Sequence, residues 1–107
     1  MAQDFKRYKS PAVGQTPVVL HTANTNDTII GISISNILGS TILVDVYLTN
    51  SGNFYLVKSA PIPSGGSLQI LAGGAKVVMQ SGDALTVVSD TASSADVWVS
   101  AVDDISS

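Results

Sequence analysis

A chain of 107 residues with a net charge of −3, one histidine and no cysteine fits one domain and excludes disulfide frameworks, thiolate metal centres and thiol nucleophiles. Charged residues make up 12% of it, about half the share of an average soluble protein. Mean hydropathy is +0.35, yet Gly, Ser, Thr and Asn interrupt every apolar run well before the ~20 residues a membrane helix needs, so no membrane partner is expected. So few charges leave little repulsion between copies, which suits a chain packed against neighbours, as in a homo-oligomer.

Residues 1–16 hold no sustained apolar period, and Pro11, Gly14 and Pro17 break up their end. They read as an extended N-terminal arm outside the core, with one β domain over residues 17–107. No apolar core follows the charges of the first ten residues, so no secretory signal is expected there. Lys6, Arg7 and Lys9 against Asp4 leave the opening positive, whereas Lys58 and Lys76 face seven aspartates in the remainder. The run Phe5, Lys6, Arg7, Tyr8 and Lys9 is therefore the candidate subunit-contact segment, with cations for an acidic neighbour and two aromatic anchors. Single-strand nucleic-acid binders mix the same residue types, but three cations attract weakly and the acidic body repels a duplex.

From Pro17 the chain alternates with period two, the mark of half-buried strands. Val18 and Leu20 are expected on one face, with Val19 and His21 on the other. Residues 28–61 read as a three-stranded meander, with Ile30, Ile32 and Ile34 on one inner face and Ile42, Val44, Val46 and Leu48 on the next. Residues 36–40 contain a glycine free to take positive φ, and Asn50-Ser51-Gly52-Asn53 closes a hairpin. Short runs follow over residues 67–71, 76–80 and 84–89, with turns at residues 72–75 and at Ser81-Gly82-Asp83. In the last run Val97, Val99 and Ala101 oppose Trp98, Ser100 and Val102. Glu is absent and no helical stripe is sustained, so the fold class is all-β: an antiparallel β-sandwich, jelly-roll or Ig-like, of about eight short strands.

No chemistry stands out. His21, the single histidine, reads as an ordinary strand residue, since no nucleophile-elbow sequence accompanies it. Asp103 and Asp104 are adjacent on a strand and point to opposite faces, so they cannot easily serve one substrate atom. Asp83, Asp90 and Asp96 sit in or beside turns, where carboxylates accept backbone amides. No calcium-loop spacing occurs, and the pairs Gly65-Gly66 and Gly73-Gly74 open no helix that would cradle phosphate. No catalytic residue, metal site or cofactor is expected. Tyr47, Tyr55 and Trp98 read as sheet-face aromatics, and a sugar-binding face is the alternative use for them.

Four stretches have a familiar grammar: Tyr55-Leu56-Val57-Lys58; Ala60-Pro61-Ile62-Pro63 followed by Gly65-Gly66-Ser67-Leu68; Val77-Val78-Met79-Gln80-Ser81-Gly82-Asp83; and Ser93-Ser94-Ala95-Asp96-Val97-Trp98. Through them residues 47–105 resemble the small virion structural proteins of tailed bacteriophages, particularly those infecting cyanobacteria. The resemblance implies a non-enzymatic part of a virion and carries over no active-site residue. Combined with the low charge and basic arm, it leads first to a capsid decoration or cement subunit bound to the major capsid protein. A neck, tail or baseplate component and a carbohydrate-binding module of a fibre are the alternatives. A small hydrolase would need a cleft acid pair, against which the scattered aspartates argue.

Overall fold

The computed structural model describes residues 3–23, 26–70 and 76–104. These form nine strands: β1 (Gln3–Val13), β2 (Val18–Thr22), β3 (Asn26–Asn36), β4 (Ile42–Thr49), β5 (Asn53–Ile62), β6 (Ser67–Ile70), β7 (Val77–Met79), β8 (Ala84–Ser89) and β9 (Ala95–Asp104). They build an antiparallel β-sandwich. One sheet has the order β1-β9-β3-β6, with β7 sharing the far side of β3 beside β6; the other has the order β2-β8-β4-β5. The turn expected at residues 72–75 lies outside the described residues.

Between the sheets lies a core of branched aliphatics, among them Ile29, Ile32, Ile34, Val97 and Val99 from one sheet and Ile42, Val44, Val46, Leu85 and Val87 from the other. Each such side chain withdrawn from water contributes about 1.5–3 kcal/mol. The inner face expected for β4 is present in Ile42, Val44 and Val46, and β9 alternates as expected, with Val97, Val99 and Ala101 buried and Trp98 exposed.

Two expectations of phase are corrected by bulges. On β3, Ile29 pairs with Ala101 and Gly31 with Ser100, so Ile30 is an extra residue opposite a single step of β9. The alternation therefore changes phase: Ile29, Ile32 and Ile34 are buried, and Ile30 turns outward at 36% exposure. On β2, Val19 pairs with Thr86 and His21 with Leu85, so Leu20 is the extra residue and His21 shares the inner face with Leu85 instead of lying beside exposed Val19.

The expected three-stranded meander is also corrected. β4 and β5 form the hairpin at Asn50-Ser51-Gly52-Asn53, but β3 belongs to the opposite sheet, so residues 37–41 cross the sandwich. Gly39 does not supply the turn by positive φ. Buried Asn36 does: its Nδ2 donates to the carbonyls of Ser40 (2.7 Å) and Ile62 (2.9 Å), and its Oδ1 accepts the Leu38 N–H.

The largest correction concerns residues 1–16. Gln3–Val13 does not lie outside the core as an arm; it is the edge strand β1, paired antiparallel with β9 from Gln3↔Asp104 to Val13↔Ala95. Val13 is itself buried in the core. Gly14 then passes so close to the β8–β9 connection that a Cβ there would stand 2.9 Å from the Ser93 nitrogen, and its carbonyl accepts the Ser89 N–H.

Candidate interaction surface

Residues opposite one another in a ladder share a face, so the β1–β9 register divides the candidate contact residues. Lys6 stands opposite Ala101 and Tyr8 opposite Val99, on the inner face; Arg7 and Lys9 stand opposite Ser100 and Trp98, on the outer face, and the backbone of Phe5 pairs with that of Val102. The segment is thus two half-sites with different surroundings.

On the inner side, the Tyr8 ring stacks on His21 with centroids 4.0 Å apart and planes 10° apart. His21 Nε2 is paired with Oδ2 of Asp27, a carboxylate in a residue only 1% exposed. Asp27 Oδ1 is buried with no hydrogen-bond partner among the described residues. The three side chains come from β1, β2 and β3, and they latch the edge strand to both sheets. A histidine–aspartate pair is two of the three members of a nucleophilic triad, but this one is covered by Tyr8 and spends its contacts on packing. Along the same register row, Asp4 and Asp103 precede Asp27 on neighbouring strands, while Asp104 pairs with Asn26. Asp103 and Asp104 thus hold backbone positions in different register rows. Among the described residues no group of three histidine or acidic side chains is placed to hold a metal ion.

On the outer side, Trp98 is 46% exposed, with the Arg7 guanidinium carbon 5.2 Å from its ring centroid. Lys9, Trp98, Ser33 and Gln69 form one row across four strands, and Gln69 Nε2 donates to Ser33 Oγ at 2.9 Å. A shallow groove of about 260 Å³ runs beside Trp98, walled by Lys9, Ser10, Pro11, Asp96 and Val97. Asp96 is already engaged: its Oδ1 accepts the Ala12 N–H at 2.9 Å, across 84 residues of chain. A wider hollow of about 370 Å³ at the β1–β2 connection is lined by Pro, Ala, Val, Gly, Gln, Thr and Ser, with no ionisable side chain to do acid–base work.

The other turn aspartates also accept backbone amides. Asp83 Oδ2 takes the Gln80 N–H, and its Oδ1 takes Asn50 Nδ2 at 2.7 Å, joining the β7–β8 and β4–β5 turns. Asp90 Oδ1 takes the Leu43 N–H at 3.0 Å and the Thr91 hydroxyl at 2.9 Å. The hydrogen bond from Asn50 first, and then that from Gln80, holds the Asp83 carboxyl below its ordinary range; Leu43 and then Thr91 do the same for Asp90.

Position in sequence pointed to Arg7 and Lys9 but not to their company. Trp98 was legible as a sheet-face aromatic, whereas its neighbours Ser33 and Gln69 come from β3 and β6, and no local pattern announces them. No family model, curated protein or solved structure matches this chain.

Proposed function

We propose that this β-sandwich is a non-enzymatic structural subunit of a tailed-bacteriophage virion, a capsid decoration or cement subunit that attaches to neighbouring virion proteins through the outer face around Trp98. The observation that carries the reading is the half-exposed Trp98 under the Arg7 guanidinium, with Lys9 beside it, on the outer sheet face. Trp and Arg are the residue types that most often dominate protein interfaces when buried there. The resemblance of residues 47–105 to small phage virion proteins supports the choice of assembly. In this role the partners are the major capsid protein, or neck and tail proteins if the subunit sits there, and many weak contacts repeat by symmetry.

Because β1 belongs to the sandwich, the test is substitution and not deletion. Arg7→Ala with Trp98→Ala should leave the chain folded and remove it from purified particles. Incorporation at the normal stoichiometry overturns the reading. A second reading rests on the same tryptophan: with Ser33, Gln69 and Lys9 around it, Trp98 is a platform on which a sugar ring could stack. Saturable binding on a glycan array, lost in Trp98→Ala, would favour a fibre carbohydrate-binding module.

A further inference from the structure

The edges of the two sheets are not equally guarded. β2 has five residues, follows Pro17 and is bulged at Leu20; β6 and β7 have four and three residues. β5 is irregular twice, between its pairings with Val44 and Val46 and again between those with Val46 and Tyr47, and Ser59 sits at a φ of 53°. Such edges resist a straight incoming strand. β1 differs: Gln3 through Ser10 keep eight consecutive partners on β9 without a break, and the irregularity comes only after Ser10. β1 is also the terminal strand of its sheet, so its other side pairs with no strand among the described residues.

We propose that the open edge of β1 is a strand-addition site for an extended acidic segment of a partner protein, one with carboxylates at alternate positions. Charge selects this occupant. Three of the five cations of the chain, Lys6, Arg7 and Lys9, stand on β1. Arg7 and Lys9 are two residues apart on the outer face, so a strand laid along β1 brings its own alternate side chains beside them, with Cβ atoms ~5 Å away. Backbone hydrogen bonds then supply affinity, and the alternate carboxylates supply register. A second copy of this chain is a poor occupant. Pairing β1 with β1 joins two strands that each carry a net charge of +2, Lys6, Arg7 and Lys9 against Asp4, and the remaining edge strands carry no carboxylate: β2, β6 and β7 are uncharged apart from His21, and β5 bears Lys58. The inference deepens the proposed role by naming the chemistry of a contact, and rests on that reading only for the partner's origin.

The test uses the full chain and two blocked synthetic peptides as long as the regular stretch of β1, one alternating Glu with Val and Thr, the other with Lys in place of Glu. The acidic peptide should bind saturably and slow hydrogen exchange of the β1 amides that face away from β9 by about tenfold, and the lysine peptide should not bind. Arg7→Glu with Lys9→Glu, its unfolding midpoint checked against the parent, should exchange the two preferences. Binding of neither peptide, binding without β1 protection, or a concentration-dependent dimer that protects this edge without peptide overturns the proposal. Particle incorporation is read separately on Trp98→Ala. Failure of peptide binding with Trp98-dependent incorporation removes the strand-addition site alone, and peptide binding with Trp98-independent incorporation removes the proposed attachment through Trp98 alone.

Discussion

β1 and β5 are edge strands of nearly equal length, eleven and ten residues, and the chain treats them in opposite ways. β5 breaks its ladder twice, and Asp45 fixes the break by accepting the Ser59 N–H at 2.6 Å while lying 3.8 Å from Lys58. Its aromatic surplus is partly covered: Tyr55 tilts against Tyr47 with centroids 5.0 Å apart, and Lys58 lies 4.6 Å from the Tyr55 centroid. β1 keeps an unbroken ladder from Gln3 to Ser10 and is fastened from the side by the Tyr8, His21 and Asp27 latch. An edge can thus be protected by distorting its backbone, which resists every strand, or by giving it a net charge, which disfavours copies of itself and still admits an acidic one.

The comparison breaks most sharply at the latch. His21→Ala leaves the buried Asp27 carboxylate without its partner, a change expected to cost about 3–5 kcal/mol in urea unfolding and to speed hydrogen exchange along β1 more than along β5. A loss below about 1 kcal/mol would mean that the ladder to β9 alone holds the strand. Next comes Asp45→Ala, which releases the β5 irregularity. It should cost about 1–2 kcal/mol through the lost hydrogen bond to Ser59 and raise self-association by light scattering, because β5 then becomes an unguarded edge.

Arg7→Ala with Trp98→Ala should move the unfolding free energy by only about 0.5 kcal/mol, since both side chains are solvent-facing, while abolishing attachment. A large loss of stability would make the pair a brace for β1 and not a contact. The smallest effect is on pH. Asp83 and Asp90 have folded pKa values below their ordinary value of 3.8, so their stabilisation is present above that value and is lost as pH falls through the lowered ones. Stability should be flat with respect to these groups above pH ~5. Asp83→Asn with Asp90→Asn should flatten the acid limb of a pH titration of unfolding; an unchanged limb would assign it to other carboxylates.

Strand content was legible because alternation is a local property: the buried rows Ile42, Val44, Val46 and Val97, Val99, Ala101 are written in consecutive residues. The hairpin at Asn50-Ser51-Gly52-Asn53 was legible for the same reason, from its turn residues. The candidate site was legible only in part. Arg7 and Lys9 drew attention by charge, but β1 showed no apolar period because its inward positions are Lys6, Tyr8 and Ser10, so a strand looked like an arm.

From its sequence alone this chain was bound to be an all-β domain with a basic beginning, since β-branched alternation and turn residues act over a few neighbouring positions. Only the tertiary structure decided that Ile30 faces out, that residues 3–13 complete a sheet, and that His21 meets Asp27 and Tyr8. Those outcomes depend on which strands pair and where a bulge shifts the phase. Such choices are made by contacts between segments far apart in the chain, which no short window of residues records.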